Sequence, residues 1–271
     1  MNRNSMHALV AAINEKLGNV GSTVTYATDA TPNRMQALEV LTGAMTNGSV
    51  KTLLLLGGNP LYDAPADFNF AEALRKVGLS VHLSLYRNET SHACSWSLPR
   101  SHWLEAWGDV AAFDGTKSIT QPTIMPMIPE AQKGWSPIEL LAELCGTEPH
   151  DGYSIVRATE MARSKTKGTT FEAHWRSVLD RGIAAGTSSP AVASTVQASG
   201  VAKAVASDAS APAGLELVLY ADDVMHDGRF ANLGWLQELP HAVTKITWDN
   251  AACMSPSLMK EYGLAIGDMV T

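Results

Sequence analysis

The run Thr52–Leu56 and the turn behind it constrain the fold of this chain more than any other feature. Leu53–Leu56 is unbroken apolar sequence, and the turn Gly57–Pro60 (Gly-Gly-Asn-Pro) follows directly. A strand that is apolar on both sides has to be covered on both faces, which is typical of a parallel sheet with helices packed on it. The sequence therefore predicts a buried parallel strand that ends in a glycine-rich turn.

The sequence behind this strand continues with a helix pattern and a second strand pattern. Asp67 can cap a helix over Phe68–Val77 that Gly78 ends. Ser80–Leu85 then alternates polar and apolar residues, which predicts a half-buried or outer strand. Strand, helix and strand in this order form a βαβ crossover. The predicted fold class is α/β, with an open, mostly parallel, Rossmann-like sheet.

Four more helices are predicted from start signals. Ser5 caps the first, and its apolar residues Ala8, Leu9, Ala12, Ile13 and Leu17 are expected on one side of the helix. Thr31-Pro32 starts the second, with a hydroxyl at the cap and proline in the first turn. Capping boxes at Ser136–Glu139 and Thr169–Glu172 start two others, which end near Leu144 and Gly182. The proline- and glycine-rich stretch 111–135 predicts a long irregular connection.

An Ala- and Ser-rich stretch, 184–213, divides the chain. Its only charged residues are Lys203 and Asp208, and no apolar stripe runs through it. This composition favours a flexible linker or long loop over a poor helix. We therefore predict an α/β domain over 1–183, a linker over 184–213, and the start of a C-terminal β domain over 214–271, with strands at 215–220 and 245–248. The final residues enter a strand pattern without a partner, which predicts a piece of a longer protein.

Composition excludes several classes of function. The formal net charge is −7, from 20 Lys and Arg against 27 Asp and Glu, so nucleic acid is not expected as a partner. Three cysteines without a C-x-x-C pair supply no ligand set for an iron–sulfur cluster or a structural zinc within this chain. The longest apolar run is far too short to cross a bilayer.

The turn Gly57–Pro60 is the strongest candidate for a binding site. It follows a parallel strand, where open α/β sheets bind ligands, and Asn59 offers an amide to a base or ribose. The alternative is that the glycines only make the strand-to-helix turn, and the residues alone do not decide between the two. His92, Cys94 and His102 are metal-ligand types without the spacing of a metal site, and no acid–base pair predicts catalysis.

The turn Gly57–Pro60, followed by Tyr86–Thr90 and then Leu98-Pro99, resembles a pattern of the molybdopterin oxidoreductase superfamily. In that family a G-x-N-P turn and a later E-T-A-x-x-A-D segment, which runs on to L-P, help to bind a guanine dinucleotide pterin. The matching positions in the first half are Leu17–Gly21, Gly57–Pro60, Tyr86–Thr90, Leu98-Pro99 and His102–Gly108. In the tail they are Asp227–Asn232, Trp235–Pro240, Trp248–Ala252 and Gly263–Asp268, which resemble the join to the family's final β-barrel domain.

The resemblance implies one kind of functional site in this chain, a cofactor site. It implies binding of molybdopterin guanine dinucleotide by Gly58, Asn59, Pro60, Glu89 and Thr90. No residue of this chain is implied as catalytic or as a metal ligand. Iron–sulfur clusters would lie elsewhere in the full protein.

Departures from the family pattern narrow the resemblance. Cys94-Ser95 stands where the family has Ala-Asp, and Trp96-Ser97 stands where two aliphatic residues are usual. With its tail segments, the chain is most similar to the large iron–sulfur subunit of alternative complex III and related membrane-bound quinol-oxidising complexes. In those subunits the molybdopterin-enzyme-like half is thought to have lost its molybdenum cofactor. The resemblance thus implies a peripheral protein on the extracytoplasmic (periplasmic) side, bound to other subunits of a redox complex.

The sequence therefore leaves three alternative hypotheses for the function. The first is a fragment of an electron-transfer subunit that serves as a scaffold without its own cofactor. The second is the pterin-binding part of an active molybdenum oxidoreductase, and the residue at Ser95 is the feature that argues against it. The third, a stand-alone nucleotide-binding module, is disfavoured by the unfinished strand pattern at the C-terminus.

Overall fold

A computed structural model describes residues 3–28, 34–127, 134–206 and 214–270, and the chain divides into two compact units, Met1–Glu216 and Leu217–Thr271. The helices in the described part are α1 (Arg3–Lys16), α2 (Arg34–Thr46), α3 (Pro60–Asp63), α4 (Phe70–Arg75), α5 (Glu89–Ala93), α6 (Pro137–Cys145), α7 (Gly152–Ser164), α8 (Gly168–Arg181), α9 (Ala198–Ala206), α10 (Gly234–Glu238) and α11 (Pro256–Glu261). The strands there are β1 (Thr52–Leu56), β2 (Leu79–Ser84), β3 (Trp96–Pro99), β4 (Gly108–Ala111), β5 (Lys117–Thr120) and β6 (Ile183–Ala184).

Strands β1, β2 and β3 form a parallel sheet in that order. Val81 of β2 lies opposite Leu54 on one side and Trp96 on the other. β2 is therefore the central strand, and both His82 and Leu83 are completely buried although they point to opposite faces. The α/β class and the parallel sheet are confirmed, whereas β2 is not the half-buried or outer strand that its alternation predicts.

The core of the parallel sheet is built from α2, β1 and α4. Its buried residues are Met45, Leu53, Phe70, Ala73, Leu74 and Val77. Helix α4 is shorter than predicted because Asn69 adopts a left-handed conformation, with φ of 46°, and separates it from a single 3₁₀ turn at Ala66–Phe68. Asparagine tolerates this conformation better than most residues, so the chain turns there instead of continuing one helix.

A second sheet, β4-β5-β6, is antiparallel and was not predicted. β4 and β5 are joined by a turn in which Gly115 has a φ of 85° and the Asp114 carboxylate accepts the N–H of Thr116 at 2.9 Å. An Asp-Gly pair is a hairpin signal, and overlooking it led to the wrong prediction of an irregular connection starting at 111.

The second sheet packs with α7 and α8 around a separate core. The buried residues of this core are Ile119, Val156, Phe171, Trp175, Val178 and Ala184. The capping box at Ser136 is confirmed, with both reciprocal hydrogen bonds to Glu139 present. The one predicted at Thr169 is wrong, because α8 already begins at Gly168 behind Lys167, whose side chain makes no cap hydrogen bond.

The predicted linker contains regular structure in its described part. Residues 198–206 form α9, which packs on α1. Composition had favoured a linker or loop over a helix in this stretch. The predicted domain boundaries at 183/184 and 213/214 stay predictions, and the structure divides the chain after Glu216.

The predicted helix start at Thr31-Pro32 lies outside the described residues.

The second unit, described to residue 270, contains α10 and α11 and no strand. The predicted strands at 215–220 and 245–248 do not form in the described structure, and Leu219 is 85% exposed. The predicted start of a β-barrel domain is therefore not confirmed. Ser255 caps α11, since its side chain accepts the N–H of Leu258.

Among the helices of the described residues, none combines the length and the apolar character needed to cross a membrane.

Candidate functional site

The carboxyl end of the parallel sheet carries polar side chains from three segments. The turn after β1 contributes Asn59, strand β2 contributes His82, and α5 contributes Glu89, Thr90 and Ser91. The parallel order of the strands brings the turn and α5 together, because α5 follows β2 at the same edge where β1 ends. We refer to these five residues as the strand-end cluster.

Asn59 is the centre of the strand-end cluster. Its Oδ1 accepts the backbone N–H of Thr90 at 3.2 Å and the hydroxyl of Thr90 at 2.8 Å. Its Nδ2 donates to Oε2 of Glu89 at 2.7 Å. Both acceptor positions of the amide oxygen and one of its two N–H groups are therefore used by the protein itself.

Thr90 and Glu89 complete this connection from the side of α5. Thr90 is fully buried, and its Oγ1 accepts the backbone N–H of Leu61 at 3.1 Å while its hydroxyl proton goes to Asn59. The hydrogen bond from Asn59 holds the pKa of the exposed Glu89 carboxyl below its ordinary value. The contacts tie the start of α3 to the start of α5.

His82 connects strand β2 to both sides of the strand-end cluster. Its Nε2 lies 3.1 Å from the carbonyl oxygen of Gly58 and must donate to it, since a carbonyl only accepts. Its Nδ1 lies 2.9 Å from Oγ of Ser91, whose hydroxyl also donates to the carbonyl oxygen of Tyr86 and to Oδ1 of Asn88. Burial lowers the pKa of His82, against the carbonyls of Gly58 and Gly57, which raise it. The histidine thus joins the turn after β1 to α5.

This burial makes stability depend on pH in a defined direction. Because the pKa of His82 is lower in the folded protein than its ordinary value of 6.5, the unfolded chain binds the proton more readily. The contribution is fully present above pH 6.5 and is lost as the pH falls from there toward the folded-state pKa. We expect the urea midpoint of the wild type to fall between pH 7.5 and pH 5.5 more steeply than that of His82→Gln. Parallel pH profiles of the two proteins would contradict this assignment.

Arg100 also lies at the carboxyl end of the parallel sheet, and it is not among the site residues that the sequence predicted. A Cβ at Gly57 would come within 2.5 Å of Nη1 of Arg100, so the guanidinium crosses the sheet end and packs on the glycine backbone. Gly57 has a φ of 96°, which also favours glycine. The Nε of Arg100 is buried without a hydrogen-bond partner among the described residues. The available signal was its position directly behind Leu98-Pro99, at the end of a strand.

The five predicted cofactor residues do lie together. Gly58 gives its carbonyl to His82, Pro60 is the first residue of α3, and the other three hold one another. Within the protein, the amide oxygen of Asn59 accepts from Thr90, and one of its two N–H groups donates to Glu89. The role of the five residues in cofactor binding stays a prediction.

The metal-ligand types near the site do not converge. Across the described ranges, no three His, Cys, Asp or Glu residues are grouped as a metal site would need. Cys94 packs against the core of the parallel sheet, and burial raises the pKa of its thiol.

A second buried polar cluster lies between α7 and α8. Glu160 is 4% exposed and accepts hydrogen bonds from Nε of Arg163 at 2.8 Å and Nε2 of His174 at 2.6 Å. Burial alone raises the pKa of Glu160, but the bonds from Arg163 and His174 outweigh it and the net pKa is lowered. The carboxylate is ionised and fully engaged, which makes it a link between helices.

Comparisons with known proteins assign no family. No protein-family model matches the chain. No curated protein matches it either. Among solved structures, it is similar to acetylene hydratase from Pelobacter acetylenicus, with 23% identical residues and a TM-score of 0.34. The alignment covers 42% of this chain and 16% of that one, and a similarity of this extent carries no argument about function.

Proposed function

We propose that this chain is a scaffold domain without its own cofactor, within an electron-transfer subunit of a membrane-associated quinol-oxidising complex. It holds redox partners in place on the extracytoplasmic side, and the iron–sulfur clusters of the full protein lie in other parts of it. The resemblance of 52–108 and 226–270 to molybdopterin oxidoreductases supports the relationship. The departures at Cys94-Ser95 and Trp96-Ser97 support the variety without molybdenum.

The closed strand-end cluster is the observation that carries this proposal. Residues that bind a ligand keep donors and acceptors free for it, usually at some expense of stability. Here Oδ1 of Asn59 accepts twice from Thr90, and Thr90 is 0% exposed. The amide oxygen of Asn59 and one of its two N–H groups, which were expected to face a pterin nucleotide, join α3 to α5, and this supports a scaffold role.

Metal and pterin analysis of the full-length protein, isolated from its native membrane, tests the scaffold role. We expect iron without molybdenum, tungsten or pterin. Stoichiometric molybdenum together with a guanine pterin would overturn the proposal and identify this domain as half of a working cofactor site.

The alternative, a pterin-binding domain of an active molybdenum oxidoreductase, is favoured by one observation: Gly58, Asn59 and Glu89 lie together at the ligand-binding edge of an open sheet. A calorimetric titration of the chain with GDP distinguishes the two functions. The scaffold proposal expects no saturable binding. Saturable GDP binding that Asn59→Ala weakens would favour the alternative.

A further inference from the structure

Two exposed methionines stand on either side of a proline in the loop behind β5. Met125 is 85% exposed and Met127 is 79% exposed, although methionine is a residue that usually packs inside a protein. Pro126 between them has a fixed φ and keeps Met125 extended, and residues at positions i and i+2 of an extended chain lie on one side. The two thioether groups therefore share one side of this loop and are open to solvent.

The loop that carries these methionines is held against the turn that begins at His102. The carbonyl oxygen of Leu104 accepts the N–H of Ile124 at 3.1 Å. The Glu105 carboxylate accepts the N–H of Met127 through Oε1 and the N–H of His102 through Oε2, both at 3.0 Å. A single carboxylate thus holds the main chain of Met127 close to that of His102.

His102 has one ring nitrogen that suits a metal ion. Its Nδ1 accepts the N–H of Leu104 at 3.2 Å, so this nitrogen carries a lone pair and no proton. The bond is at the long end of N–H hydrogen bonds, and water can satisfy the N–H of Leu104 when a cation takes its place on the ring. The exposed indole of Trp103 lies 5.2 Å from the imidazole ring, close enough to report a bound cation through its fluorescence.

The types of ligand in this group select a soft cation. Thioether sulfur is a soft ligand that suits Cu(I), and imidazole suits copper as well, whereas Ca²⁺ and Mg²⁺ take oxygen ligands. Protein sites for Zn²⁺ use thiolate, imidazole and carboxylate ligands instead of thioethers. We propose that Met125, Met127 and His102 bind one Cu(I) ion, with Sδ of each methionine and Nδ1 of the histidine as ligands. This site shares no residue with the strand-end cluster and does not depend on the proposed scaffold function.

Titration of the whole chain with Ag(I), a redox-stable ion with the ligand preferences of Cu(I), tests the site. The three cysteines are free thiols that would compete for Ag(I), so Cys94→Ala, Cys145→Ser and Cys253→Ser are present in every protein compared. We expect native mass spectrometry to show one Ag(I) per chain and calorimetry to show saturable binding. Met125→Leu keeps the apolar bulk and removes the sulfur. It should weaken the affinity at least about tenfold, since loss of a group that merely supports a metal ligand already costs this much.

Met269→Leu is the matched control, because Met269 is 93% exposed and has no neighbouring methionine in the sequence. It should leave the affinity for Ag(I) unchanged, whereas His102→Gln should weaken it as Met125→Leu does. Tryptophan fluorescence should change on binding, and Trp103→Phe should remove that change. Absence of saturable binding, equal affinities of the Met125→Leu and Met269→Leu proteins, or an unchanged affinity in His102→Gln would each overturn the inference. Zn²⁺ bound as tightly as Ag(I) would also overturn it, because the site would then not select a soft cation.

Discussion

Replacement of Asn59 by alanine is expected to lower the free energy of unfolding by about 2 kcal/mol, from about 1 kcal/mol for each of its two hydrogen bonds with Thr90, since water replaces the exposed bond to Glu89. Thr90 is completely buried, so the loss leaves its hydroxyl and N–H without water to replace the amide. Urea denaturation followed by circular dichroism would measure the change. A residue held ready for a ligand would behave differently, since its removal from the ligand-free protein costs little or even stabilises it.

Asn47→Ala is the matched control for this substitution. Asn47 is exposed, and its Oδ1 accepts the N–H and the hydroxyl of Ser49, a near neighbour in sequence. We expect its loss to cost less than about 1 kcal/mol, because water takes over both bonds. If Asn59→Ala cost no more than Asn47→Ala, the strand-end cluster would not be a structural junction.

A double-mutant cycle locates the effect. Asn59→Ala and Thr90→Val each break the bond between the two side chains, so the double variant should cost less than the sum of the two, by about 1 kcal/mol or more. Strict additivity would contradict the contact between the two residues.

Phe171→Ala is expected to have the largest effect on stability, a loss of about 4 kcal/mol in the free energy of unfolding. Phe171 is 0% exposed, its ring stacks on Trp175 at 6.2 Å, and the guanidinium of Arg157 lies 5.0 Å from its centroid. Removing the ring leaves a cavity at the junction of α7 and α8. Thermal unfolding should show a much lower Tm, and tryptophan fluorescence, to which Trp175 contributes, should change in the same transition.

Phe113→Ala separates burial from the mere loss of an aromatic ring. Phe113 is 93% exposed, so its replacement should alter stability by less than about 0.5 kcal/mol. Similar losses for the two phenylalanine variants would mean that the α7–α8 core is not packed as described.

Local chemistry was sufficient to predict much of the first unit. Thr52–Leu56 is a strand with the bounds that its apolar run indicates, and the chain turns at the two glycines behind it. The capping box at Ser136 is present as predicted, since it involves residues three positions apart. Features of this kind depend on neighbours in sequence, and the sequence contains the neighbours.

Contacts between distant segments could not be predicted in the same way. β2 reads as an outer strand, yet it is central because β3 pairs with its free edge. Ser80 is buried, and its Oγ accepts the N–H of Ser95 at 3.0 Å, so a polar residue that would suit a solvent face is satisfied by a distant segment. Alternation alone cannot reveal whether a polar side chain meets water or a partner.

The sequence by itself determined that this chain has an α/β fold with a parallel strand and that a glycine turn with Asn59 ends that strand, while the family resemblance added Glu89 and Thr90 as residues of the same site. Only the tertiary structure decided what these residues do there, because hydrogen bonds between positions 59, 89 and 90 span about thirty residues of chain. Whether an amide is open to a ligand or closed by its own protein depends on distances that no local pattern encodes. The same holds for α1, whose apolar residues are visible in its sequence, while the exposure of Ile13 and Leu17 depends on where α9 packs.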